Sequence, residues 1–262
     1  MPPIPAFEPA AAGSSTPATT ANAHARAPGR RVVDAPTRMF HWLFALSFAG
    51  AYLTADGETW RALHITLGYT MAGLLGFRIL YGLFGPRQAG LGLLWRKLGS
   101  APAWLRSATQ ALQQRTIRGI NWRQGQNLAM ALAVVALLVL VVPLTLSGYG
   151  TYNEWGDVLG GDWLEDVHEF FGEAFLAVVL GHLGLIAGLS VLRRKNQALP
   201  MLSGRVEGPG PDLARHDHKW LAALLLMAVV AFAGWQWQQA PNGLIPAPGM
   251  SSVASDRHHD DD

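Results

Sequence analysis

Apolar residues along this chain are gathered into long runs rather than spaced at the three- and four-residue intervals of a soluble helix's buried stripe. Five runs stand out, at residues 39–55, 63–85, 127–148, 167–192 and 219–238. Each is close to the ~20 residues that carry a helix across a hydrocarbon core. The first is short and borrows from its flanks. The runs are too long and continuous for barrel strands, and lipid-facing backbone must satisfy its polar groups internally, so each is predicted to be a helix. Residues 1–30, rich in Ala, Pro, Ser and Thr, hold no long apolar run and are predicted to be a disordered arm. With no h-region there, the first apolar run is expected to serve as the insertion signal. Residues 207–218 form a polar linker before the fifth run, and residues 239–262 a polar tail.

Charge gives these spans a direction. Between the second and third runs lie Arg87, Arg96, Lys97, Arg106, Arg115, Arg118 and Arg123 with no acid, and Arg193, Arg194 and Lys195 follow the fourth. The loop before the fourth run holds Glu154, Asp157, Asp162, Glu165 and Asp166 with no Lys or Arg. The positive-inside rule therefore places the N-terminus and both basic loops in the cytoplasm, and the acidic loop and C-terminal tail in the periplasm. Tryptophans 60, 122, 155, 163, 220, 235 and 237 cluster near span ends, as interfacial belts do. Composition agrees, with 50% hydrophobic and only 15% charged residues and a mean hydropathy of +0.18. A pI near 9.1 is compatible with nucleic-acid binding, but the basic residues flank apolar runs, where membrane topology accounts for them and no nucleic acid is expected. The absence of cysteine excludes disulfides, iron–sulfur clusters and thiolate metal sites.

Five of the nine histidines lie in polar sequence, namely His24, His216, His218, His258 and His259. The other four, His41, His64, His168 and His182, fall inside or at the edge of spans, where an ionisable side chain costs a few kcal/mol and tends to be functional. A single such histidine is as readily a helix–helix hydrogen bond; four together are harder to dismiss. Depth sorts them. His41 opens an outward-running helix, His64 an inward-running one, and His168 starts the fourth span from outside. His182 follows about 21 Å deeper at ~1.5 Å per residue, after nearly four whole turns, so both rings of the fourth helix point the same way. The residues pair as His64 with His168 on the outer side and His41 with His182 on the inner side. Zinc or copper usually takes three or four ligands in a tighter cluster. Haem iron needs only two axial ligands, and bis-histidine ligation suits electron transfer. Gly68, Gly73, Gly172, Gly181 and Gly184 would let a flat macrocycle approach; close helix packing explains them as well.

These residues also carry a family likeness. VVDAPTRMFHWLFALSFAGAYLTA, RALHITLGYTMAGLLGFRILYGLFGPR and DVHEFFGEAFLAVVLGHLGLIAGLSVLRRKNQALPMLSGRV occur in that order, and resemble the helices of the bacterial cytochrome b561 and Ni,Fe-hydrogenase b-type cytochrome superfamily. The resemblance covers roughly residues 31–206. It implies a four-helix transmembrane bundle holding two haem b groups, with His41, His64, His168 and His182 as axial ligands, in a cell inner membrane. It further implies electron transfer between the quinone pool and a periplasmic or membrane redox partner protein. The chain departs from the pattern twice. Gly125-Gln126-Asn127-Leu128 stands where members often carry an Asn-Pro-Leu-Gly-like turn, and a fifth transmembrane helix is added.

Arg38, just before His41, and Arg78, near the inner end of the second helix, are candidates for the haem propionates. They serve equally as a positive-inside anchor and as a snorkelling side chain. Glu169 and Glu173, beside the outer pair, are candidates to relay the proton of a quinol, and Pro143 is expected to kink the third helix. The reading is an all-α membrane di-haem cytochrome b, acting alone as a quinol oxidoreductase or as the membrane subunit of a hydrogenase- or dehydrogenase-type complex. A homo-oligomer is left open. The competing class is a transporter passing protons or metal ions along histidines, against which stand the missing inverted repeat and the pairing by depth.

Overall fold

The computed structural model describes residues 29–87, 89–116, 119–156, 161, 163–240 and 244–245. The predicted arm up to residue 28, Arg118, Asp157, Asp162 and nearly all of the tail lie outside the described residues. The elements in chain order are β1 (Arg30–Arg31), α1 (Ala35–Leu53), α2 (Arg61–Phe84), α3 (Leu91–Gly99), α4 (Ala101–Gln113), α5 (Trp122–Tyr152), α6 (Trp163–Arg193), α7 (Leu199–Ser203), β2 (Arg205–Val206) and α8 (Lys219–Gln239). A 3₁₀ turn, Glu58–Trp60, leads into α2.

Local chemistry starts and stops these helices. Asp34 caps α1 by accepting from the Thr37 amide at 3.2 Å, with Pro36 in the first turn, where its missing N–H is no loss. Asn121 caps α5 through the Gln124 amide at 3.0 Å. At the far end of α1 the Thr54 hydroxyl donates to the Gly50 carbonyl at 2.7 Å.

Helices α5 and α6 pack along each other, α1 packs on α2, and α2 meets α5. Helix α8 lies against α1 and α2. The centre is filled by Phe48, Met71, Leu75, Val141, Leu144 and Phe175, one or two from each of α1, α2, α5 and α6. Phe175 is only 1% exposed. A second cluster, Phe40, Leu74 and Leu225, seats α8. The outer faces stay apolar, with residues such as Leu80, Leu132, Leu180 and Val230 exposed. That suits lipid, where association rests on close packing rather than on water exclusion.

Glu58–Phe84, Trp122–Tyr152, Trp163–Arg193 and Lys219–Gln239 are long and apolar enough to cross a membrane, so the chain is a multi-pass membrane protein. They coincide with four of the five predicted runs, the second ending one residue earlier at Phe84 and α5 and α6 both extended to 31 residues. Helix α1 is not among them: its 19 residues include Arg38 and His41 in the first two turns. Two polar segments are more structured than their composition suggests. The basic loop after α2 holds α3 and α4. The linker 207–218 folds back onto the start of α1: the Leu213 amide donates to the Arg31 carbonyl at 2.9 Å and the Ala35 amide to Asp217 Oδ1 at 3.0 Å. Arg30 and Arg31 pair antiparallel with Val206 and Arg205.

Candidate functional site

The bundle has a basic end, where α1 begins and α2 finishes, and an acidic end, where α2 and α6 begin. His64 lies in the first turn of α2 and His168 in the second turn of α6, both at the acidic end. Their ring centroids are 6.0 Å apart with the planes at 80°. Nδ1 of His64 lies 2.8 Å from the Ala51 carbonyl oxygen, and Nδ1 of His168 lies 2.9 Å from that of Leu144. A carbonyl oxygen only accepts, so each Nδ1 carries the proton and each Nε2 keeps its lone pair, the arrangement that orients a metal-ligating imidazole. The Ala51 carbonyl lies in the last turn of α1, where the helix ends at Leu53, and it also accepts from the Thr54 amide and hydroxyl, each at 3.2 Å. Gly148 makes room for the second ring: a Cβ there would lie 2.7 Å from Cε1 and 2.9 Å from Nδ1 of His168.

Toward the basic end, His182 of α6 lies close enough to His41 of α1 to bear on the charge of its ring. The Nδ1 atom of His182 is buried without a hydrogen-bond partner. An orphaned polar atom of that kind costs about 1–3 kcal/mol and marks a ring held for something other than the protein's own hydrogen bonding. Between the two pairs the interior is filled by aromatic side chains. Phe175 stands seven residues from both His168 and His182, on their face of α6, with its ring centroid 4.6 Å from that of Phe48 and 6.2 Å from that of Phe44.

Two nitrogen donors per tier, those of His64 and His168 with tautomers fixed by backbone hydrogen bonds, fit a group that brings its own equatorial ligands. Among the described residues no cluster of three or more His, Asp or Glu gathers in metal-binding proximity. A Cβ on Gly68, Gly73, Gly181 or Gly184 would meet nothing within 4 Å, whereas one on Gly172 would touch Leu144 at 4.0 Å. The first four glycines therefore leave flat helix surface near the histidines rather than closing a tight helix crossing.

The two arginines are engaged differently. Arg38 donates from Nη1 to the Leu202 carbonyl at 3.1 Å and faces Asp217 at 3.7 Å, while its buried Nε has no partner. Arg78 is 9% exposed, donates to the Ala89 carbonyl at 2.8 Å and lies beside Asp34 and Tyr81. The Tyr81 hydroxyl in turn donates to Asp34 Oδ2 at 2.8 Å. Glu169 and Glu173 are exposed on α6. Sequence reading passed over Gly148, the Ala51 and Leu144 carbonyls and Phe175. Of these only Phe175 left a signal, its seven-residue spacing from both histidines.

Fold and site together define a helical membrane protein with His64 facing His168 at its acidic end and His41 and His182 toward its basic end. The family model described as prokaryotic cytochrome b561 matches residues 32–204, and the chain belongs to that family. It is thus a membrane b-type cytochrome of electron transfer, binding b-type haem. The match stops before α8. No curated protein and no solved structure matches the chain.

Proposed function

We propose that the chain is a di-haem cytochrome b that carries electrons across the bacterial inner membrane between the quinone pool and a periplasmic or membrane redox partner. The observation that carries this reading is the two-tier pairing, His64 with His168 and His41 with His182, on either side of the Phe175 layer. The haem iron would supply one-electron redox chemistry at each tier. The rest falls to the protein. His64 and His168 keep their Nε2 lone pairs for a ligand because the Ala51 and Leu144 carbonyls take the Nδ1 protons. His41 and His182 form the second donor pair. Arg38, with its free Nε one turn before His41, would hold a propionate of the inner group, and Arg78 would add positive charge at the same end. Phe44, Phe48 and Phe175 exclude water between the tiers. In this reading α1 crosses the membrane with the other four helices, the basic end faces the cytoplasm, and α8 is the fifth span.

The test is optical. Protein purified in detergent is expected to show low-spin b-type spectra with about two haems per chain, falling to about one when His64 or His182 is replaced by alanine. A colourless protein, or a haem content indifferent to those histidines, would overturn the reading and favour a transporter.

A further inference from the structure

The connection between α2 and α5 carries more than a turn requires. From Thr59 to Asn153 the chain contains no aspartate or glutamate, while Arg96, Lys97 and Arg106 stand exposed on α3 and α4, with Arg115 and Arg123 just beyond. Both helices are amphipathic. Leu91, Leu94, Trp95 and Leu98 share one face of α3, and Trp104, Leu105, Ala108, Ala111 and Leu112 one face of α4.

One edge of each apolar face is seated on the bundle. A Cβ on Gly82 of α2 would lie 2.6 Å from Leu91, and one on Gly125 of α5 would lie 2.7 Å from Trp104. The Trp104 indole donates to the Asn121 carbonyl at 3.1 Å. The other edge is uncovered: Trp95 is 77%, Leu105 53% and Leu112 78% exposed. Gly82 and Gly125 lie near the ends of helices that cross the membrane, so α3 and α4 sit at the level where hydrocarbon gives way to headgroups. The ion pairs among the described residues are made by Arg31, Arg38 and Arg61, and by none of the basic residues of this segment.

We propose that α3 and α4 form a binding surface for anionic phospholipid, with Trp95, Leu105 and Leu112 in the acyl boundary and Arg96, Lys97 and Arg106 on headgroup phosphates. Three features select this occupant. The surface lies at the membrane edge, its exposed side chains alternate apolar with basic, and its excess charge has no acid within the segment to meet it. A zwitterionic lipid would cover the apolar residues and leave that charge uncompensated. The proposal rests on α2 and α5 spanning the membrane and not on which residues ligate haem.

The experiment titrates the purified full-length, haem-loaded protein, in uncharged detergent, with mixed micelles of phosphatidylglycerol or of phosphatidylcholine. Thermal midpoint and retained lipid, by native mass spectrometry, are the readouts. Phosphatidylglycerol is expected to stabilise and to remain bound, and phosphatidylcholine and inorganic phosphate are not. Arg96→Gln with Lys97→Gln and Arg106→Gln is expected to weaken phosphatidylglycerol binding about fivefold per charge removed, with haem content unchanged. Lys97→Gln alone serves where the triple variant folds poorly. Equal responses to the two lipids, an equal response to inorganic phosphate, or undiminished binding in the variants would overturn the proposal. Lipid retention is read by mass, so a wild-type chain lacking haem would sink the di-haem reading and leave this comparison intact.

Discussion

Replacing Gly148 with alanine tests the outer tier without touching a ligand. The new methyl carbon would lie 2.7 Å from Cε1 of His168, where unstrained carbon–carbon contacts begin at about 3.5 Å. The imidazole must therefore move by about 0.8 Å. Its 2.9 Å hydrogen bond to the Leu144 carbonyl cannot survive that in its present geometry. Loss of such an orienting partner typically costs 10- to 100-fold in metal affinity, or about 1.4–2.8 kcal/mol. The helix itself gains, because alanine is favoured over glycine in a helix interior by about 1 kcal/mol. The expected variant is thus a folded protein that has selectively lost, or holds weakly, its outer haem. Haem per chain, measured against protein mass, should fall from about two toward one, and one of two steps in a redox titration should vanish. Gly188→Ala, where a methyl meets nothing within 4 Å, is the control. Full haem content with both redox steps retained in Gly148→Ala would show that the His168 position in this structure is not the one that ligates.

Other expectations follow from the same geometry. Phe175→Ala removes a side chain that is 1% exposed at the centre of the bundle and should cost about 3–5 kcal/mol, read as a lowered thermal midpoint in detergent. Asp34→Ala removes both the α1 cap and the acceptor of the Tyr81 hydroxyl. It should cost about 2–4 kcal/mol, with Tyr81→Phe costing less because it leaves the cap in place. Arg38→Gln removes a positive charge one turn from His41, so the midpoint potential of the inner haem should shift to more negative values while the outer one stays put. Equal shifts at both would refute the placement of Arg38.

Four of the five spans were legible in the sequence, and the four histidines stood out in it, because hydropathy and helical rise are one-dimensional quantities. A run of twenty apolar residues and fourteen residues between two rings need no tertiary information. The atoms that fix the outer rings were not legible: the Ala51 and Leu144 carbonyls are backbone, and nothing in a sequence says which of them will face a histidine. Gly148 was silent for a related reason, since a glycine that admits a ring looks like one that admits a neighbouring helix. Gly125 shows this from the other side. It marks a departure from the family's turn before the third helix, and in the structure it is a helical residue against which Trp104 packs. Charge hid something different. The basic stretch after α2 reads as a loop, and its polar residues mask the apolar stripe of α3 and α4. Arg78 reads as a propionate partner or a snorkelling side chain, and in the structure it is buried and donates to the Ala89 carbonyl beside Asp34.

The clasp at the basic end has a consequence for biogenesis. The start of α1 is held by residues synthesised far later: Trp42 donates to the Met201 carbonyl at 3.1 Å, the Val32 amide to the Gly204 carbonyl at 2.8 Å, and Asp217 receives the Ala35 amide. The partners are separated by 159 residues for Trp42 and 182 for Ala35, which at roughly 5–20 residues per second is about 8–36 s of translation. His182 is made before any of these partners, so on the di-haem reading the pair it forms with His41 exists before the chain beyond it fastens the start of α1. The outer tier waits only for the first turns of α6, whereas the inner tier closes last, when the chain beyond α6 fastens across its mouth. On the di-haem reading, cofactor loading would thereby be ordered in time by where along the chain the fastening residues are written.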